Sequence, residues 1–571
     1  MNNNLPSTVY ELLSAACRRA PSASALTFLA DLADLYSSPR LSYAEMMSDI
    51  HRTIHFMRSL TGKPRPVVSL LLPNISQSQV LLWSAETAGI ANPLNPFLNE
   101  EALFQLMHKA GTDLIFAVGP EGTDVWEKAV RVAQRLPNKP TCVSVHSAAG
   151  QAFYDKDVAS YSDAPPGVQN LPGAEDVAAF YHTGGTTGTP KLACHTHRNQ
   201  TTAALAVIES LRLREIDVAL NGLPIFHVAG AIVGSLSMLG AGAELVFPTA
   251  SGFRNPEVIQ RHWQLIESLG ITISSGIPTS MASMLDIPLK GEDISSLRYL
   301  VTGGAPVPMK LHELAVRNVG RQLYQGYGMT EASGVIAMPD VTQPAVWGSA
   351  GRICPPLEAC VDNGEICVRG PMVFPGYLGG DSPVSRDGWL RTGDLGYLDD
   401  EGNLFISGRA KDLIIRSGHN IDPALIEACL EQHPAVGMAA AIGMPDEYAG
   451  ELPVVFVQLR KGAQTTSEEL HEFAMANISE RPACPKRVIV MDALPVTAVG
   501  KVFKPALREQ VTEGLLRDLL APRITGVGVQ GRHTTNGKLV IKLWEVPEAE
   551  ASWCRDQLQR LNLELEDLQI S

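Results

Sequence analysis

The chain has 571 residues, enough for several domains and a large buried core, so a small scaffold stapled by disulfides or a metal is excluded. Hydrophobic residues make up 45% and charged residues 19%, the balance of a globular protein rather than a disordered or fibrous one. Forty-six Lys and Arg against 60 Asp and Glu leave a net charge of −14, which argues against nucleic acid or an anionic membrane as the main partner.

At the start, MNNNLPSTVYELLSAACRRA lacks a cationic segment followed by an apolar one, so no secretory leader is expected. Nine cysteines at irregular spacings, with no C-x-x-C pair, read as a reduced cytoplasmic chain. Up to about residue 165, strand-like and helix-like segments alternate: VVSLLLP (67–73), SQSQVLLWSAETAGI (76–90), TDLIFAVG (112–119). The alternation predicts α/β architecture with buried, largely parallel strands. It resumes with AELVFP (243–248), a helix over 255–270, ITISSG (271–276) and LRYLVTGGAP (297–306). Between them the uncharged run Val218 to Ala243 is long enough to span a bilayer, but Asn221, Pro224, His227 and its glycines read as a buried strand, a turn and a tightly packed helix.

From about 358 to 407, short strands and the turn pairs Asp387-Gly388 and Glu401-Gly402 predict antiparallel β-structure. A fresh small α/β unit then begins, with a helix over 422–434 capped by Asp422 and strands at 452–459 and 485–494. The expected fold class is therefore α/β: a large N-terminal domain of α/β sub-domains plus a β-rich sub-domain (1–409), and a small mobile C-terminal α/β domain (412–523). An extension over 524–571 reads as a hairpin turned at Asn536-Gly537 followed by an amphipathic helix, WCRDQLQRLNLELEDL. Gly526 to Gly531 matches G-x-G-x-x-G, but a hairpin follows instead of the helix that a dinucleotide fingerprint requires.

Several segments carry chemistry. Tyr181 to Lys191, YHTGGTTGTPK, runs from an apolar strand into glycines, threonines and one lysine, the materials of a phosphate cradle. It is not a Walker loop in any register. Gly303, Gly304, Ala305 and Pro306 follow a strand, and Tyr324 to Glu331, YQGYGMTE, sets small residues beside a ring, a hydroxyl and a carboxylate. Such a set suits stacking a base, bonding a phosphate oxygen and holding a hard cation. Leu390 to Gly396 places Asp394 in a tight turn where it would accept ribose hydroxyls; Gly408 to Asp412, GRAKD, marks the boundary; Pro495 to Lys504 puts Lys501 on a glycine-containing turn.

Taken in order, these segments resemble the adenylate-forming (AMP-binding) superfamily over about residues 10–515, most closely its acyl-CoA synthetases and aryl-CoA ligases, the carboxylic acid:CoA ligase type. The resemblance implies that Thr183, Gly184, Gly185, Thr186, Thr187, Gly188 and Lys191 hold the β- and γ-phosphates of ATP. Gly303, Gly304, Ala305 and Pro306 with Gln325, Gly326, Tyr327, Gly328 and Met329 would line the adenine. Thr330 would touch the α-phosphate, Glu331 would help hold Mg²⁺, and Asp394 and Arg409 would take the ribose. Lys411 falls at the family's hinge and Lys501 at its adenylation lysine, while His227 resembles the histidine flanking the acyl site. Arg416, Ser417, Gly418 and His419 would line the CoA channel, with Ile415 standing where several relatives have lysine.

The implied activity is ATP-dependent conversion of a carboxylic acid to acyl-AMP and then to an acyl-CoA thioester. No acidic residue lies between Phe226 and Glu244 to bind an α-ammonium group, and Val228 to Gly234 is small and apolar, which favours a fatty or other apolar acid. Loading of a separate carrier protein is the alternative. Expected ligands are ATP, Mg²⁺, CoA and the small-molecule acid, with no nucleic acid and no transmembrane segment; a homo-oligomer stays open.

Overall fold

The computed structural model describes residues 5–35, 38–119, 124–145, 154–183, 191–305, 307–380, 382–409, 412–417, 419–478, 480–497, 500–534 and 538–570. They form two compact units. The first holds the described residues up to Thr392 together with Leu398–Phe405; the second holds Gly393–Tyr397 and the described residues from Ile406 onward.

Two seven-stranded sheets dominate the first unit. One runs in the order Leu323–Gly326, Tyr299–Gly303, Ile273–Gly276, Val218–Asn221, Glu244–Pro248, Ser24–Leu29, Arg40–Ser42. All its pairs are parallel except the last. The other runs Gly376–Tyr377, Lys191–Thr196, Val177–Thr183, Ile90–Pro93, Val67–Leu71, Leu114–Val118, Thr141–Val145. It is parallel from Val177–Thr183 outward and antiparallel at its first two pairs. Strands buried on both faces need uniformly apolar sequences, which is why VVSLLLP and AELVFP were legible as strands. The β-rich part follows, with Glu358–Asp362 and Glu365–Arg369 antiparallel and Ser349–Ile353 pairing Asn403 and Phe405. The turn glycines Gly388 and Gly402 both have positive φ, 82° and 81°.

In the second unit, Gly450–Leu459 pairs antiparallel with Val436–Asp446 and parallel with Arg487–Met491. Asp422 caps the helix Pro423–Glu431 through the N–H of Ala424. The α/β class expected from the sequence is the class observed, and no helix among the described residues is long and apolar enough to cross a membrane.

Two expectations need correction. The helix over 255–270 is two segments, Pro256–Gln260 and His262–Leu269, broken at Arg261. The second segment buries His262 and Trp263, whose indole N–H donates to the Ile287 carbonyl at 2.8 Å. The tail also differs. Its helix, Ala551–Arg560, ends where Asn562 turns left-handed at φ 53°, and Glu564–Ile570 is a strand parallel to Leu539–Val546. The extension is thus a three-stranded sheet, and it shares a core with the preceding helix through Leu516, Leu520, Ile541, Leu543, Cys554 and Leu558. The rejected fingerprint lies partly in strand Gly528–His533, where a Cβ on Gly528 would fall 1.9 Å from the Trp544 ring. The turn Asn536-Gly537 lies outside the described residues.

One buried acid sits inside the first unit. Glu86 is fully enclosed and accepts from the Gln200 amide at 3.1 Å, and burial lifts its pKa from 4.5 to about 8. The folded chain therefore binds a proton here that the unfolded chain releases from about pH 4.5 upward, so this group's stabilisation is complete below pH 4.5 and fades towards pH 8. Glu86→Gln is expected to raise Tm at pH 8 and to leave it nearly unchanged at pH 5 in thermal melts; an equal offset at both would contradict a neutral buried carboxyl.

Candidate active site

The phosphate-cradle motif starts and ends on paired strands. Val177–Thr183 and Lys191–Thr196 are antiparallel, with Thr183 opposite Lys191. Its centre, Gly184, Gly185, Thr186, Thr187 and Gly188, lies outside the described residues. Lys191 is exposed, and its ammonium stands 4.9 Å from the centre of the Tyr377 ring. Tyr377 arrives on the short strand Gly376–Tyr377, opposite Ala193.

The adenine-lining candidates gather at the carboxyl edge of the parallel sheet. Tyr299–Gly303 and Leu323–Gly326 run side by side and end in register, Gly303 opposite Gly326. A Cβ on Gly303 would sit 2.7 Å from the Gly326 carbonyl oxygen, so the two strand ends approach this closely only with glycine. Ligands of open α/β sheets collect at such an edge. Gly304 and Ala305 follow directly, with Pro306 outside the described residues. Gln325 is buried, with its Oε1 lacking a hydrogen-bond partner among the described residues. Tyr327 bridges to Ala337, its N–H donating to that carbonyl at 2.9 Å. Gly328 packs against the backbone of Gly334, which a Cβ would meet at 2.2 Å, so the Gly328–Met329–Thr330 turn folds back tightly.

Thr330 and Glu331 open a single helical turn, Thr330–Ala332, held from outside its own sheet. His195 lies on strand Lys191–Thr196, and its Nε2 donates to the Thr330 carbonyl at 2.8 Å. Burial depresses the His195 pKa to about 4, so near neutrality the ring is uncharged and Nε2 carries its hydrogen. The Phe374 N–H donates to the Glu331 carbonyl at 2.9 Å, and the Tyr377 phenol donates to Glu331 Oε1. Burial first, and then the Glu331 charge, hold the Tyr377 phenol well above its usual range, so it stays a donor. Asn199 anchors the approach to Tyr377 by donating to the carbonyls of Pro371 and Val373 at 2.8 and 3.1 Å.

His227 sits half-buried beyond the end of Val218–Asn221, a strand of the same parallel sheet. Asn221 shapes this turn: its Oδ1 accepts from Leu223 N–H, and its Nδ2 donates to the Gly230 carbonyl and to Ser235 Oγ. His227 Nδ1 accepts from Ala229 N–H at 3.2 Å. The next eight residues, Ala229–Leu236, form a wide i→i+5 helix, a form common at functional sites. Its Val233 and the preceding Val228 come within 3.1 and 3.3 Å of the Cβ position of Gly334, placing the helix start against the Gly326–Gly334 segment. Phe226 stacks on His182 at 6.1 Å, and burial lowers the His182 pKa to about 4.

In the second unit, Arg409 Nε pairs with Asp394 Oδ1 at 2.9 Å; Asp394 is buried and Arg409 exposed. The two ribose candidates are therefore brought together. Lys501 is half-buried on the turn that joins Val496 to Val502, where Thr497 N–H donates to its carbonyl at 2.7 Å and Gly500 takes φ 79°. Arg416 donates to the Pro482 carbonyl at 2.7 Å and lies opposite His419 across the hairpin closed by Ser417. Lys411 and Gly418 lie outside the described residues.

Tyr377, His195, His182 and Asn221 were not among the sequence candidates. Tyr377 is 46 residues from Glu331 and His195 is 135 from Thr330; no local pattern announces either contact. No group of three or more His, Cys, Asp or Glu among the described residues forms a protein-only metal cage. Glu331, with one oxygen engaged by Tyr377, fits an ion held largely by phosphate oxygens and water, as Mg²⁺ usually is.

A family model described as AMP-binding enzyme matches residues 13–378, and a second, the AMP-binding enzyme C-terminal domain, matches 425–501. The chain belongs to the AMP-binding enzyme family. It is 33% identical to the marinolic acid–CoA ligase of Pseudoalteromonas sp. (strain SANK 73390), over 90% of this chain and 82% of that protein. It is 28% identical to a long-chain-fatty-acid–CoA ligase of Bacillus subtilis (strain 168), over 89% and 95% of the two chains. Among solved structures it is similar to ATP-bound MatB from Rhodopseudomonas palustris, with 26% identity, a TM-score of 0.78, and 89% of this chain and 99% of the other covered. The resemblance read from the motifs is thereby borne out.

The packing makes Gly230 of this AMP-binding enzyme a sensitive position. A Cβ there would lie 2.2 Å from the Pro224 carbonyl oxygen. Gly230→Ala is expected to cost about 1–3 kcal/mol in urea unfolding and to displace the His227 turn; wild-type stability would contradict the close approach.

Proposed function

We propose that this enzyme, an acid–thiol ligase, joins an apolar carboxylic acid to CoA through an acyl-adenylate, releasing AMP and pyrophosphate. The observation that carries the reading is the convergence at one sheet edge of Gly303–Ala305, the Gly326–Glu331 segment and the His227 turn, tied through Glu331 and Tyr377 to Lys191. The relatives named as CoA ligases support CoA as the acceptor over a carrier protein.

The chemistry asks for charge control. A carboxylate oxygen attacks the α-phosphorus of ATP, the bond to the β-phosphate oxygen breaks, and pyrophosphate leaves with that electron pair. Both reactants are anions, so positive groups and N–H donors must offset their repulsion where charge builds up. In this reading the Gly184–Gly188 backbone and Lys191 hold the outer phosphates, Thr330 bonds the α-phosphate, Asp394 and Arg409 hold the ribose, and Lys501 bridges the attacking carboxylate and the α-phosphate oxygens. Mg²⁺, when bound with help from Glu331, neutralises phosphate charge. The CoA thiolate then attacks the acyl carbon and the bond to AMP breaks, with Arg416, Ser417, Gly418 and His419 along its approach. Buried Val228, Ala231 and Ile232 beside His227 support an apolar acid, as does the lack of any charged residue between His227 and Glu244.

A panel of acids with ATP and Mg²⁺, with and without CoA, tests the reading. Acyl-CoA and AMP are expected together, and AMP formation that ignores CoA would remove the ligase step. Lys501→Ala should slow pyrophosphate release by about 10²–10³, the scale for losing one charge-stabilising donor, while thioester formation from supplied acyl-AMP survives. Lys411→Pro, at the proposed hinge, should show the inverse pattern. Equal losses in both halves for Lys501→Ala would contradict its assigned role.

A further inference from the structure

The Glu331 carboxylate, the Tyr377 phenol and the Lys191 ammonium form a short chain in the first unit that the motif roles do not explain. Tyr377 Oη donates to Glu331 Oε1, and Lys191 Nζ rests 4.9 Å over the same ring. We propose that Tyr377 is a positioning residue for adenylate formation: its hydroxyl fixes the Glu331 carboxylate for the metal ion, and its ring seats Lys191, the cation read as meeting the phosphates. The proposal rests on the reading above, in which Glu331 helps hold Mg²⁺ and Lys191 the phosphates.

The ring itself is well restrained. Tyr377 is paired in register with Ala193, and Leu378 N–H donates to the Leu192 carbonyl at 2.8 Å. Phe374 packs edge-on at 5.0 Å between centroids and 78° between planes, and its own N–H holds the Glu331 carbonyl. The phenol oxygen is thus presented from a sheet edge, while Glu331 sits on a turn of three residues. A carboxylate left to rotate would have to be ordered by the metal ion at an entropic cost. A charge-assisted bond at Oε1 orders it beforehand and leaves Oε2 to face the ion. Outer partners of this kind typically change metal affinity by about 10- to 100-fold when lost.

Lys191 follows the same geometry. An ammonium over an aromatic face is held weakly, so phosphate oxygens can draw it away with little penalty. One side chain therefore touches both the carboxylate that meets the metal and the cation that meets the phosphates. Tyr377→Phe isolates the first function, because it removes the hydroxyl and keeps the ring under Lys191.

The test is calorimetric titration of full-length protein with ATP, without acid substrate, in excess Mg²⁺ and separately in EDTA. Wild type, Tyr377→Phe, Glu331→Gln and the double variant are compared after melts show that each is folded. Tyr377→Phe is expected to bind ATP about tenfold more weakly in Mg²⁺ and within about twofold of wild type in EDTA. The double variant should be no weaker than Glu331→Gln alone, since the hydroxyl acts through that carboxylate. Should the Phe variant not fold, Tyr377→Leu removes the phenol together with the ring, and the part of its loss that appears in Mg²⁺ but not in EDTA is then assigned to the hydroxyl. Equal loss with and without metal, or wild-type metal dependence, would overturn the role of Tyr377. A wild-type chain that binds ATP in neither condition would overturn the ATP-dependent reading itself.

Discussion

The bond from His195 to the Thr330 carbonyl joins the two seven-stranded sheets of the first unit where it matters most. His195 belongs to one sheet, and Thr330 follows the terminal strand of the other. The Phe374 N–H and the Tyr377 phenol add two further links from the His195 side to Glu331. Without these ties the Gly326–Gly334 segment would be a glycine-rich loop with little apolar burial to hold it, and such loops open easily. If the site meets a triphosphate, as proposed, it needs backbone groups in place before the ligand arrives, because ordering them afterwards would consume binding energy. Neutral His195 suits the task, since an imidazolium there would be an uncompensated charge in a dry interior.

The same economy of polar bonds shapes the His227 turn. Asn221, Ser235 and Gln79 are all buried, and each hydrogen-bonds within the group or to the Gly230 carbonyl. Ser235 Oγ donates five residues back to Gly230 at 2.7 Å, along the direction of the wide helix turn that it occupies. Gly230 and Gly234 let this helix press on Pro224 and Asn221 where any side chain would collide. Satisfying each buried donor makes the turn costly to deform, which is useful where a histidine must keep a set position.

Misreadings arose where local pattern and tertiary context pull apart. LNLELEDL has leucines that fit one helical face and equally fit alternation; the left-handed Asn562 and the open edge of Leu539–Val546 decide for a strand. The helix over 255–270 has continuous helical periodicity, yet it breaks at Arg261 where the second segment buries Trp263. Tyr377 carried no signal at all, because a single tyrosine after a glycine is ordinary until the fold sets it against Glu331.

Composition and spacing in the chain determined the α/β class, the turn-rich β segment and the capped helix at Asp422, since each depends on residues close in sequence: apolar runs, glycines that bend backbone, a carboxylate ahead of a helix; the family was legible as a resemblance, from the order of its motifs. They also marked Lys191, Glu331, Asp394 and Lys501 as candidates, because charged side chains in glycine-rich turns stand out. Only the tertiary structure decided which side chains hold those candidates in place. Partners such as Tyr377 with Glu331, His195 with Thr330 and Gln200 with Glu86 lie from 46 to 135 residues apart. A hydrogen bond acts over about 3 Å of space whatever the length of chain between its ends, so no local pattern can announce it.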